Sequence, residues 1–272
     1  MTRIAVMGGG KIGEALIAGL LEAGRPVKDL VVAEHVEARA KELATEYGIR
    51  VTNVADAAEG ADVIAVAVKP NDVESVLDAI GEVDLDSDRE QMLLSMVAGI
   101  PTSRFELKLP AGFPVVRAMP NTPMLIGQGM SVIAPGRYAR KHHLALVTEV
   151  LGAVGHVTVV AERQIDAATA VSGSGPAYFF LVAEAMVEAG VGLGLSHATA
   201  TELVNQTMTG AAAMLTLTEE NPTQLRAAVT SPSGTTAAAI RELERHGVRS
   251  AFIEALHAAK TRSAQLGVEV ES

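Results

Sequence analysis

The 272-residue chain has no cysteine and no tryptophan, and aromatic residues make up only 3% of it. Without cysteine there is no disulfide, thiolate nucleophile or thiolate ligand, as suits a reducing compartment. With so few rings, packing has to rely on Ala, Val, Leu and Gly, and close helix–helix contacts through small residues follow. Positive charge is scarce as well: 22 Lys and Arg stand against 32 Asp and Glu, a net charge of −10. That balance argues against a partner made of nucleic acid and against an anionic membrane. Long apolar runs are missing, since stretches such as VIAVAV from Val63 are strand-length and short of a membrane span. The first residues, MTRIAVMGGG, run into a strand with no leader pattern, so a cytoplasmic protein is expected. Disorder is excluded by 49% hydrophobic and 20% charged residues.

What is present is an alternation. RIAVMG precedes KIGEALIAGLLEAG, DLVVAE precedes HVEARAKELATEYG, DVIAVAVKP precedes NDVESVLDAIG, and QMLLSMVAG precedes PTSRFELKL. Strand-length runs followed by helical patterns predict βα units and a mostly parallel sheet. Gly24 and Gly48 sit where helices commonly stop. PVVRAM and MSVIAP lack a clear helix between them and are expected to close the sheet edge, followed by a helix over 140–153 and a last strand, HVTVV. Beyond about Ala161 only helical segments appear, at 174–190, 196–217, 222–230, 235–246 and 249–266. Two domains are therefore expected: a dinucleotide-binding α/β half over 1–162 and an all-helical half over 163–272. The helical half is poor in charge, so its apolar surface meets either another subunit or its own first domain.

The first turn, GGGKIG, satisfies GxGxxG with Gly8, Gly10 and Gly13. It follows a strand and opens a helix, the context that gives the spacing its meaning. Gly8 makes the tight turn, Gly10 admits a pyrophosphate to the backbone and Gly13 packs helix on strand, with Lys11 and Ile12 in the first helical turn. Glu34 closes the second strand 21 positions after Gly13, where an acid usually accepts the ribose 2′-hydroxyl, and so favours NAD(H). His35 and Arg39 beside it could meet a 2′-phosphate, which favours NADP(H), and the residues leave this choice open. Lys69-Pro70 and the stretch 96–99 end parallel strands at the carboxyl edge where open α/β sheets bind ligands. MPNTP, at 119–123, is a rigid polar turn of the same kind.

Two other readings carry little weight. His142 and His143 are adjacent and diverge on a helix, and the remaining histidines lack metal-ligand spacing, so no metal site is expected. SGSGPAY, at 172–178, superficially matches a nucleophile elbow but does not stand between a strand and a helix; a helix-breaking, donor-rich junction is expected there instead.

One stretch asks for a ligand. TSPSGTT, at 230–236, crowds hydroxyls and backbone donors against a helix start, either to cap that helix or to hold an anion. Together with GGGKIG, AVKP at 67–70, VAGI at 97–100, MPNTP and SGSGPAYFF at 172–180, the segment PTQLRAAVTSPSGTTAAAIRELE at 222–244 resembles the pyrroline-5-carboxylate reductase family. The strings occur in the family's order along nearly the whole chain, and the last is its most specific. The resemblance implies a Rossmann-type domain followed by an all-α dimerisation domain, a homo-oligomer that is a dimer and in larger form a decamer, and hydride transfer from NAD(P)H to the C=N bond of 1-pyrroline-5-carboxylate, giving L-proline in the last step of proline biosynthesis. NADP(H) is the first expectation for the cofactor and NAD(H) the second.

By the same resemblance the cofactor contacts are Gly8, Gly10, Lys11, Ile12, Gly13, Glu34, His35, Arg39, Ala67, Val68, Lys69, Pro70, Val97, Ala98 and Asn121. Thr236 is expected at the ring nitrogen. Ser231 and the N–H groups of Gly234, Thr235 and Thr236 are expected at the carboxylate, and Glu219 near the ring, favouring the iminium form. The active site would lie between the nicotinamide and the TSPSGTT loop, whose hydroxyls would also cap the helix. Ser233 stands where the family usually has Gly or another small residue, and Glu34-His35 stand where NADPH-preferring relatives often carry small hydroxyl residues. A β-hydroxyacid dehydrogenase would need a catalytic lysine on the first interdomain helix, and 165–188 contains none; an alcohol also needs a general base, whereas an imine does not. A nucleotide sensor without turnover would have no use for the substrate-side residues.

Overall fold

The structure is a computed structural model and describes residues 2–83 and 91–269, with side chains through Gly267. Packing divides the chain into two compact units, Met1–Ser174 with Ala258–Ser272, and Gly175–His257. These limits follow contacts, whereas the expected spans 1–162 and 163–272 follow sequence pattern.

In the first unit the expected alternation becomes β1 Ile4–Met7, α1 Lys11–Glu22, β2 Leu30–Ala33, α2 Glu37–Tyr47, β3 Arg50–Thr52, α3 Val54–Ala58, β4 Val63–Val66, α4 Val73–Gly81, β5 Met92–Ser95, α5 Thr102–Lys108, β6 Val115–Met119, β7 Gly129–Pro135, α6 Lys141–Gly152, β8 Gly155–Val159 and the short α7 Ile165–Ala168. Gly24 and Gly48 take positive φ just past α1 and α2, the conformation that lets a helix end without a Cβ clash. β3 and α3 are absent from the sequence-based reading. A three-residue, half-exposed strand is too short to show a period of two, and α3 is a single turn started by Asn53, whose side chain accepts the Asp56 N–H.

The eight strands lie in the order β3-β2-β1-β4-β5-β6-β7-β8. All neighbours run parallel except β6 and β7. Between those two the chain crosses only nine residues, including the 3-10 turn Thr122–Ile126, too few for the dozen or more of a parallel crossover. The expectation that these two strands close the sheet is corrected: the helix α6 carries the chain back so that β8 pairs parallel outside β7, and the edges are β3 and β8.

Strands buried on both faces explain the near-continuous apolar runs. One face packs on α1 and α6 through Leu16, Leu20, Val150 and Leu151; the other packs on α3, α4 and α5 through Ala57, Leu77, Ile80 and Phe105. Each such large side chain contributes about 1.5–3 kcal/mol. The strand order reverses between β1 and β4, so the crevice at their carboxyl ends is where ligands of such sheets bind.

The second unit is helical, with α8 Gly175–Gly192, α9 His197–Leu217, α10 Pro222–Ala228, α11 Thr235–Arg245 and the first part of α12, Val248–Glu269. α8 and α9 approach closely where a Cβ on Gly190 would stand 3.1 Å from that of Ala200, the small-residue packing expected of a chain poor in aromatics. The Asn221 side chain caps α10 by accepting the Thr223 and Gln224 N–H groups, and Gln224 accepts the Asn221 N–H in return. Few of this unit's large apolar side chains are covered: Phe179, Phe180 and Leu181 on α8 and Ile253 on α12 are each 60% or more exposed. The helical run Glu162–Gly192 is, by length and composition, apolar enough to cross a membrane. The run also carries Glu162, Arg163, Asp166, Glu184 and Glu188, and core helices of soluble proteins share this length and composition.

Candidate active site

The phosphate-loop residues come together as their spacing requires. Gly8 has φ +101°, and a Cβ there would stand 2.9 Å from Val68 Cγ1 and 3.0 Å from the Ala67 carbonyl oxygen. A Cβ on Gly13 would lie 2.0 Å from the Gly8 carbonyl oxygen, so the helix approaches the strand more closely than any side chain permits. Gly10 caps α1 without a side-chain hydrogen bond, and a Cβ there would meet nothing within 4 Å. The start of α1 is therefore open beside Gly10, and helix-start amides such as those of Lys11, Ile12 and Gly13 fit a pyrophosphate there. Lys11 is exposed beside Gly10.

At the end of β2 the Glu34 carboxylate accepts the Gly9 N–H at 2.9 Å through Oε2 and the Val36 N–H at 2.8 Å through Oε1. Arg39 donates through Nε to the Gly9 carbonyl at 2.8 Å and is ion-paired with Glu14 and Glu42. Hydrogen bonding to Glu42, opposed by burial and aided by Glu14, holds its guanidinium above the ordinary arginine range. His35 extends into solvent, with Nδ1 3.5 Å from Glu34 Oε1.

The 67–70 segment lies against the glycine loop, since the Ala67 N–H donates to the Met7 carbonyl and Val68 crowds Gly8, while Lys69 is exposed and Pro70 opens a 3-10 turn. Val97 is buried and Ala98 half-buried at the end of β5. Asn121 is nearly buried, and its amide bridges two segments: Nδ2 donates to the Ser172 carbonyl at 3.0 Å and Oδ1 accepts the Met130 N–H at 2.8 Å.

Ser172 belongs to a π-helical turn, Thr169–Gly173, in which the Ser174 N–H reaches the Thr169 carbonyl. SGSGPAY thus runs from the end of a widened turn through a bend at Ser174, where the expected break falls, into α8; such turns recur at functional sites. The expectation for the histidine pair is corrected. His143 Nδ1 accepts the Arg140 N–H at the start of α6, which draws His143 Nε2 to 2.9 Å from His142 Nε2 instead of letting the rings diverge. Among the described residues no group of three His, Asp or Glu is arranged to hold a metal.

A network around Arg117 escaped the sequence reading. Arg117 on β6 is 6% exposed, with Glu162 at 3.6 Å and Asp166 at 4.0 Å. Burial pulls its guanidinium below the ordinary arginine range, and the two acids oppose that shift. Glu162 also accepts the Thr102 N–H and hydroxyl, each at 2.6 Å, and Asp166 accepts the Ser263 hydroxyl at 2.8 Å, which ties the end of α12 to the first unit. The sequence signal was the lone arginine inside the apolar string VVRAM.

In the second unit, TSPSGTT turns into α11. Ser233 has φ +61°, the only positive φ on a non-glycine residue among those described. Gly234 is the N-cap and no side chain caps the helix, so the expectation that hydroxyls cap it is corrected. Ser231 Oγ lies against Gly234, where a Cβ would stand 2.4 Å away. Among the described residues, the leading N–H groups of α11 thus have no intrahelical or side-chain partner. Thr236 is half-buried in the first turn, and Glu219 is exposed in the bend after α9.

Comparison with known proteins agrees with these features. Residues 162–266 match the family model described as pyrroline-5-carboxylate reductase dimerisation, and residues 3–99 match the model described as NADP oxidoreductase, coenzyme F420-dependent. The pyrroline-5-carboxylate reductase of Mycobacterium tuberculosis is 53% identical over all of this chain and 99% of that protein; that of Pseudomonas aeruginosa is 42% identical over 98% of each. The solved pyrroline-5-carboxylate reductase from Coxiella burnetii superposes with TM-score 0.92 at 36% identity, covering 97% of this chain and 98% of that one. The Plasmodium falciparum pyrroline carboxylate reductase, solved with NADP bound, superposes with TM-score 0.86 at 28% identity, with 98% of each chain covered. With a glycine loop built for a dinucleotide, a helical domain of matching sequence and full-length relatives of one name, this chain belongs to the pyrroline-5-carboxylate reductase family of NAD(P)H-dependent oxidoreductases.

Proposed function

We propose that the chain reduces 1-pyrroline-5-carboxylate to L-proline with Thr236 as the catalytic residue, the substrate held by the start of α11 and the dinucleotide by the glycine loop of α1. The observation that carries this assignment is the uncapped start of α11. A carboxylate is the natural partner for leading helix amides, so Ser231, Gly234, Thr235 and Thr236 hold the substrate carboxylate, with binding reinforced by charge-assisted hydrogen bonds. The Thr236 hydroxyl oxygen accepts the N–H of the protonated imine, the form that Glu219 favours.

When bound, the reduced nicotinamide would supply the hydride for the imine carbon, whose nitrogen already carries the proton of the iminium form. An iminium carbon accepts a hydride readily, so the protein's work is orientation and charge placement. Gly8, Gly10, Lys11, Ile12 and Gly13 hold the pyrophosphate, and residues 67–70, Val97, Ala98 and the turn at Asn121 complete the cofactor wall. A cytoplasmic location suits a cysteine-free enzyme that draws on soluble dinucleotide.

The exposed apolar helices call for a partner subunit. Phe179, Phe180 and Leu181 form a patch that a monomer would not leave uncovered, and the matched dimerisation model spans it. A second copy covers this surface in a homodimer, and up to a decamer belongs to the same proposal; light scattering reads the mass.

The test is oxidation of NADPH and NADH, followed by absorbance, on adding pyrroline-5-carboxylate. Thr236→Ala should lower kcat by about 10- to 100-fold, the scale of one lost transition-state hydrogen bond, with dinucleotide affinity unchanged. Imine-dependent oxidation absent from the wild-type enzyme would sink the reaction; unchanged kcat in the variant would sink the role of Thr236.

A further inference from the structure

We infer that Glu34 makes this enzyme select NADH over NADPH. The inference rests on the cofactor reading above and reverses the order of preference that family resemblance implies.

A cleft of about 510 Å3 opens at the carboxyl end of the sheet beside the glycine loop, with Gly8, Glu34, His35, Asn53, Val68 and Asp72 among its lining. Its lining includes two carboxylates and, among the described residues, no lysine or arginine. The ribose nearest β2 in such a fold presents its 2′ position to this strand end. A 2′-hydroxyl is a donor that a carboxylate accepts. A 2′-phosphate brings about −1.5 to −2 charges at neutral pH to the same place.

Glu34 cannot easily swing aside to admit it. Its side chain is only 8% exposed, and its two oxygens are held by the Gly9 and Val36 amides at 2.9 and 2.8 Å. Each oxygen keeps a further lone pair for a ribose hydroxyl. Since Gly9 belongs to the phosphate loop itself, rotating the carboxylate away would also leave that loop's amide without its partner.

The cations nearby do not reverse the balance. Arg39 spends Nε on the Gly9 carbonyl and is ion-paired with Glu14 and Glu42, and it is not part of the cleft lining. His35 is 90% exposed at its side chain and stands by Glu34, so a positive charge on it would be shared with that acid. Glu34, held by two amides, and Asp72, exposed on the same cleft, outweigh one solvated imidazole and leave the 2′ position negative. Repulsion between unit charges about 4–5 Å apart corresponds to about 5-fold in affinity in water and to several hundred-fold at the dielectric of a protein surface, so about 10-fold is the least expected.

The experiment measures Kd for NADH and NADPH on the full-length protein without imine, by nicotinamide fluorescence, together with kcat/KM for both. Wild-type protein should bind NADH at least 10-fold tighter, and added salt should narrow the gap by screening the repulsion. Glu34→Gln, which keeps one acceptor oxygen for the Gly9 amide and turns its NH2 to the Val36 N–H, should raise NADPH affinity relative to NADH 10-fold or more. Glu34→Ser should invert the preference. Equal or tighter NADPH binding by the wild type overturns the inference, as does an unchanged ratio in folded Glu34→Gln, or NADPH affinity that falls with salt as a cationic pocket would require. Failure to bind either dinucleotide overturns both this inference and the cofactor reading. Selective NADH binding without imine reduction would sink the reaction proposed above and leave the selectivity standing.

Discussion

Replacing Ser233 with glycine should stabilise the enzyme, and the backbone sets the size of the gain. At φ +61° an L-residue brings its Cβ too close to the following carbonyl, a strain of about 1–2 kcal/mol that glycine does not carry. Glycine gives back about 0.5–1 kcal/mol through the greater freedom of the unfolded chain. The Ser233 side chain is exposed, so no packing is lost with it. The net gain is about 0.5 kcal/mol, or a rise in Tm of about 1–3 °C for a unit of this size. Ser233→Val should move the other way by several degrees, since a branched Cβ fits this region worst. Thermal unfolding followed by circular dichroism decides it, at matched protein concentrations because assembly shifts Tm. The KM for the imine should stay within about twofold in the glycine variant, because the amides proposed to hold the carboxylate belong to the backbone. A lower Tm for Ser233→Gly, or a valine variant as stable as wild type, would refute the strain argument.

Gly13→Ala would put a Cβ 2.0 Å from the Gly8 carbonyl, and the forced shift of the loop should weaken dinucleotide binding by at least about 10-fold; wild-type affinity in a titration would contradict the close packing. Glu162→Ala leaves Arg117 buried with Asp166, at 4.0 Å, as its one acidic partner among the described residues, and should destabilise the first unit by about 2–4 kcal/mol in urea denaturation. Glu162→Gln keeps one acceptor oxygen and should lose less. Tyr47, pushed up to about 12 by burial and by Glu14 and Glu46, should ionise late in an ultraviolet titration. Because its folded-state pKa is raised, its contribution to stability is fully present below about pH 10 and disappears as the pH rises towards 12. Tyr47→Phe should remove the late step.

Much of the first unit was legible because its signals are local. Seven of the eight strands and the helices between them follow from apolar runs and periodicity, and the glycine loop from spacing in context. β3 and α3 were missed because three- and five-residue elements carry no measurable period. The misplaced sheet edge has another cause: pairing order is a long-range property, and nothing local to HVTVV says that it pairs outside MSVIAP. On the substrate side, TSPSGTT stood out by composition, yet only the backbone shows that Gly234, and no hydroxyl, occupies the cap.

The sequence by itself determined the class of fold, the dinucleotide loop and the family, since these depend on patterns within a dozen or so residues and on strings kept in order. Tertiary structure alone decided which charges meet. Glu34 reaches the Gly9 amide across 25 positions, Arg117 is buried among acids 45 and 49 positions later, and Ser263 finds Asp166 across 97. Ionic and hydrogen-bond partners are chosen by proximity in space, which chain order does not record. That is why the residues at the end of β2 could be named from the sequence, while the charge they jointly present to a cofactor could not.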